Sequence, residues 1–135
     1  MLAAGHLWAA DLPLDKDGWS VISTSSDSRV IYCSSSAGND SNNGLSSGSP
    51  VKTLDKAFSL VRNGYPDHVY LKRGDVWTNQ NFQRLKGKSG RNSSQRIVVA
   101  YYGSGNRPLV KTNNVSILTI TSGTAKNLAI IGIEF

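Results

Sequence analysis

Few residues in this chain of 135 have the types and spacing that chemistry needs. In GNDSNNG, Asp40, Asn42 and Gly44 match the start of an oxygen-ligand calcium loop, which uses carboxylate and amide oxygens at alternating positions before a glycine turn. The closing Glu is missing, so a lone carboxylate would hold Ca2+ weakly. The same Asp40 and Asn42 can instead fix the loop by hydrogen bonds to nearby backbone. Trp77, Tyr101 and Tyr102 offer rings on which a sugar could stack, core or ledge packing being the other fate of such rings. Arg84, Lys86 and Lys88 fall in the densest basic stretch, LKGKSGRNSSQR, which suits either an anionic glycan or a solvated surface loop.

Other arrangements fail on spacing. His6 and His68 stand far apart with no Cys or carboxylate at ligand distance along the chain, so neither a metal site nor a nucleophile triad is signalled. Asp55, Asp67 and Glu134, the single Glu of the chain, form no pair for glycoside hydrolysis. Cys33 is alone, which excludes an internal disulfide and a thiolate-rich metal centre. Arg73, Gly74 and Asp75 spell an adhesive tripeptide, yet they follow a strand where a turn is needed anyway. Gly103-Ser104-Gly105 lacks the strand, loop and helix context of a phosphate cradle. No catalytic residue is assigned.

Composition narrows the partners. Fifteen Lys and Arg against nine Asp and Glu leave a net charge of +6. The cations are scattered from Lys52 to Lys126 rather than lined up as a phosphate track, so a nucleic-acid partner is not expected and an acidic polysaccharide is. No apolar run approaches the roughly 18 residues that cross a bilayer as a helix. Charged residues make up 18%, below the usual about 25%. With Ser, Asn and Gly abundant, that favours turns and short strands over long helices.

The elements that must position these residues follow from the pattern. Residues 1–28 read as a lead-in arm whose apolar opening, MLAAGHLWAADLP, is a clipped remnant of an export signal or a loose start. The stretch RVIYCS over 29–34 is a strand, and the Ser, Asn and Gly that follow are loop. One amphipathic helix of about three turns is expected from Ser49 as N-cap and Pro50 at the first helical position. Its apolar stripe is Val51, Leu54, Ala57, Phe58 and Val61, and Gly64 with Pro66 stops it. Strands are expected at 68–72, 81–85, 96–101, 108–111, 115–121 and 127–135, the last bent at Gly132. Short strands returning without helices between them fit a coiled parallel solenoid as well as a sandwich. The corner at Gly132 and the single helix, placed to plug an open first rung, favour the solenoid.

VIYCSSSAGNDSNNGLSSGSPVKTLDKAFSLV, followed by DHVYLKRGDVW, resembles the N-terminal capping region of right-handed parallel β-helix proteins of the pectate-lyase-like superfamily. IVVAYYGSGNRPLV and NLAIIGIEF look like first rungs. The resemblance implies a mainly β fold, a right-handed parallel β-helix with one N-terminal capping α-helix, with residues 29–135 forming the cap and first rungs. It also implies a secreted, periplasmic or cell-surface protein acting on polysaccharide. A polysaccharide lyase cleaving acidic glycan by β-elimination is the leading expectation, and a non-catalytic surface or adhesive scaffold is the rival. Catalytic residues and calcium carboxylates of the lyase members lie on later rungs, so the present residues are expected to be an inactive fragment with no cofactor of its own, Ca2+ and the remaining rungs belonging to the parent protein.

Overall fold

The computed structural model describes residues 13–119 and 125–135. Among these residues the strands are β1 (Val30–Cys33), β2 (His68–Lys72), β3 (Val76–Thr78), β4 (Ile97–Tyr102), β5 (Leu109–Lys111) and β6 (Leu128–Ile130), with a helix, α1 (Leu54–Ser59), and a 3-10 turn at Gln83–Leu85. The molecule is mainly β, and every pairing between these strands is parallel.

From β2 onward the chain alternates between two sheets. β1, β2, β4 and β6 lie side by side in that order, while β3 pairs with β5 in the second sheet. Register is kept from strand to strand: Ile31 faces Val69, Val69 faces Val99, and Val99 faces Ile130. Alternation then decides the faces. Ile31, Cys33, Val69, Leu71 and Val99 are buried in the common core with Trp77 and Val110 of the second sheet. Full burial of each large apolar side chain contributes roughly 1.5–3 kcal/mol.

The bend expected at Gly132 is present. After β6 the backbone turns through Gly132, whose φ is +69°, and Glu134 bridges in parallel to Leu109. A Cβ at Gly132 would stand 2.6 Å from the Tyr101 ring, so the position demands a residue without one.

Three expected elements differ. The helix is six residues, because Val51 is drawn into extended pairing beside Cys33: its amide donates to Tyr32 O (2.9 Å) and its carbonyl accepts from Ser34 N (2.9 Å). Thr53, not Ser49, is therefore the N-cap. The strand expected at 81–85 is the 3-10 turn, with Phe82 and Leu85 buried and Phe82 packed edge-on to Phe58 of α1 at 4.8 Å. Of the strand expected at 115–121, residues 115–119 are turn and irregular chain and the rest lies outside the described residues. The short strand β3 has no counterpart among the expected elements. α1 rests against β1 and the 3-10 turn and buries Leu54, Ala57 and Phe58.

Candidate functional site

Residues that alternate away from the core converge on the outer face of the first sheet. Tyr32 of β1 meets Tyr70 of β2 at 5.9 Å and Tyr102 of β4 at 5.1 Å, both edge to face. His68 lies beside Tyr70, with Nδ1 and the phenol oxygen 3.0 Å apart. Burial lowers the His68 pKa against the pull of Asp67, so the imidazole is neutral near pH 7. Burial likewise raises Tyr70, and it pushes Tyr102 up to about 12. Lys72, opposite Tyr102 in the register, puts one positive charge at the edge of this face, which otherwise offers half-buried phenols that can stack and exchange hydrogen bonds.

A second cluster joins the arm to the corners. Trp19 packs against Tyr101 with ring centroids 4.4 Å apart, and the Tyr101 hydroxyl donates to Ser20 O at 2.9 Å. Arg73 lies over the Trp19 ring at 3.8 Å and Arg107 at 5.6 Å. A cleft of about 280 Å³ opens here, lined by Asp17, Trp19, Ser20, Tyr101, Arg107 and Gly132 among others. Tyr101 and Tyr102, adjacent on one strand, point to different clusters and make no joint platform.

The remaining candidates are placed as follows. Asp40 bonds the start of α1: Oδ1 accepts from the amides of Lys52 (2.8 Å) and Thr53 (2.9 Å), and Oδ2 accepts from Thr53 Oγ1 (2.7 Å). Burial opposes the charge, and these hydrogen bonds outweigh it, so the carboxyl titrates below its usual range. Asn42 donates to Pro50 O at 2.8 Å. Calcium at this loop would have to displace those donors. Trp77 is fully buried, its indole donating to Lys52 O at 3.0 Å, and shows no ring face at the surface. Arg84 is exposed and 3.6 Å from Asp55, Lys86 is exposed, and Lys88 reaches back to the carbonyls of Phe58 (2.7 Å) and Val61 (2.8 Å) past the end of α1. The basic stretch is thus split between solvent and helix. Arg73 and Asp75 of the adhesive tripeptide are both engaged, the first on Trp19 and the second buried on Ser34 and Ser36. His6 lies outside the described residues. Among the described residues no group of three His, Cys, Asp or Glu side chains could hold a metal, and no helix is long and apolar enough to cross a membrane.

Sequence reasoning misses Tyr32, Tyr70, Trp19 and Arg107. The alternation within VIYC and HVYLK carries a signal for the first two.

Neither a family model nor a curated protein sequence matches this chain. Solved structures do. The native crystal structure of a GH136 lacto-N-biosidase from Eubacterium ramulus is 24% identical, with a TM-score of 0.65 over 77% of this chain and 19% of that one. Its selenomethionine derivative gives a TM-score of 0.66 at 24% identity, covering 78% and 20%. The likeness is one of fold. The chain spans about a fifth of the length of that protein.

Proposed function

We propose that these residues are the N-terminal part of an exported, carbohydrate-active protein built on a right-handed parallel β-helix of the pectate-lyase-like kind. They supply the helical cap, the first rungs and glycan contacts, and no catalytic residue. The fold likeness to a lacto-N-biosidase carries this reading. Parallel strands in strict register and the bend at Gly132 support the solenoid, and the +6 charge supports an acidic glycan as partner. The whole protein is read as a polysaccharide lyase, in which a basic side chain takes the proton α to a carboxylate and a cation steadies the developing enolate. Any calcium of that reaction belongs to residues other than Asp40 and Asn42, and a secreted, periplasmic or cell-surface setting accompanies it.

The scaffold reading has one observation of its own. Asn79 and Asn113, both with positive φ, stack at successive corners with the Asn113 amide donating to Asn79 Oδ1, a polar ladder that does no chemistry.

A glycan array probed with residues 1–135 separates these ideas, alongside an ultraviolet assay for unsaturated products. Binding to polyuronates with no product formed is the expected result. Binding confined to neutral glycans containing lacto-N-biose overturns the acidic substrate, product formation overturns the inactive fragment, and binding to no glycan overturns the proposal.

A further inference from the structure

We infer that the cleft between the arm and the corners is a subsite for one carboxylate-bearing sugar residue, an inference that rests on the carbohydrate reading above. Two guanidinium groups, those of Arg73 and Arg107, lie 3.8 and 5.6 Å from one indole, and among the described residues neither has a carboxylate at ion-pair distance. Holding like charges together costs free energy, which Asp15 and Asp17 beside the cleft offset in part and a bound carboxylate returns further. Both acids keep their charge but are held by donors of their own. Asp15 Oδ1 accepts from the amides of Asp17 and Trp19 at 2.9 Å each, and Asp17 is paired with Lys16 at 2.9 Å.

Shape and lining then fix the ligand class. At about 280 Å³ the cleft lies just below the roughly 300 to 1,000 Å³ of drug-sized ligand pockets, and suits a single ring rather than a length of chain. Trp19 and Tyr101 give it aromatic walls for the C–H face of a pyranose, while Arg107 presents its planar fork to a carboxylate. Arg73 is held by its stacking on Trp19 and by Nε donation to Gly105 O (2.9 Å), and adds positive field beside the indole. A sulfate or free inorganic anion would use the arginines and leave the rings idle.

The test is a titration of residues 1–135 with galacturonate, with galactose and with sodium sulfate, followed by amide NMR shifts at Gly18 and Gly132. Galacturonate is expected to move both amides, and Arg107→Ala to weaken it about tenfold, the size of one lost charge-assisted hydrogen bond. Arg107 is exposed, so the variant should keep the dispersed native spectrum, and Arg107→Lys should recover only part of the affinity. Equal shifts with galactose overturn the acidic class, and equal shifts with sulfate overturn the sugar. Galacturonate shifts confined to Tyr32, Tyr70 and Tyr102 overturn this subsite while leaving the proposed function standing. Silence with every probe overturns the subsite, and array binding then decides the function separately.

Discussion

The Asp75 carboxylate accepts a hydrogen bond from Ser34 Oγ at 2.6 Å, joining the end of β1 to the entrance of β3 across 41 residues of chain. Ser36 adds its hydroxyl at 2.7 Å and its amide at 3.3 Å. Ser34 is fully buried and Asp75 nearly so, so removing the acceptor strands the Ser34 hydroxyl where water cannot reach it, while exposed Ser36 can turn to solvent. Asp75→Ala is expected to cost about 3 kcal/mol and Asp75→Asn roughly half that. Chemical denaturation of the two variants measures the difference, and equal midpoints for both and wild type would sink the claim.

The contact between Gly132 and Tyr101 predicts non-additivity. Gly132→Ala meets a positive φ and a ring 2.6 Å away, a combined cost of about 2–3 kcal/mol. In a Tyr101→Ala background the severe clash is gone and the backbone strain remains with a 3.3 Å approach to Trp19, so the double variant should lose at least about 0.5 kcal/mol less than the two single losses together. Strict additivity would show that the ring is not what restricts the corner.

Asp67 contributes to the acid limit together with Asp40 and Asp75, whose carboxyls are also held low, against burial, by hydrogen bonds. Burial raises the cost of its charge, but Arg62 and the amides of Arg29 and Arg62 all donate to it and hold its pKa below the ordinary value. A depressed carboxyl stabilises the fold fully above its unfolded pKa of about 4, and that stability is lost as pH falls through the lower folded value. Thermal melts of wild type should therefore decline below pH about 4, and Asp67→Asn should be less stable at neutral pH but flatter across that window. Parallel curves for the two proteins would assign the acid transition to other groups.

Lys88 holds the end of a helix too short to stand alone. Lys88→Met keeps most of the aliphatic stem and deletes both hydrogen bonds to the carbonyls of Phe58 and Val61, at an expected cost of about 1–2 kcal/mol. Faster amide exchange at Ala57 and Leu60, with exchange in β2 and β4 rising less, would locate the effect. Uniform acceleration everywhere would mean that Lys88 supports the whole core instead.

Legibility tracks how local the cause is. β1, β2 and β4 are readable because each packs apolar and aromatic residues into a run of about six, and Gly132 because a lone residue without Cβ between two apolar stretches marks a bend. Val51 misleads because it fits a helical stripe and an extended bridge equally well, and only Cys33 in the folded chain decides between them. Phe82 and Leu85 are spaced for a tight turn as much as for a strand face. The arm cleft is invisible in the sequence for a different reason: Trp19, Arg73, Tyr101, Arg107 and Gly132 sit on separate segments spanning more than a hundred residues, and nothing near Trp19 announces its partners. Lys88 reads as a glycan contact because no sequence pattern marks a side chain that returns to a helix end 27 and 30 residues earlier.

The unbroken pairing of Tyr32 with Tyr70 and of Tyr70 with Ala100 has one more consequence. Deleting a single residue inside β2 would exchange its two sides, driving Tyr70 inward and Val69 or Leu71 out to solvent. Length variation among relatives should therefore be confined to exposed turns such as Asn92–Ser94 and Gly103–Ser104, where the chain can grow outward without disturbing which atoms meet water.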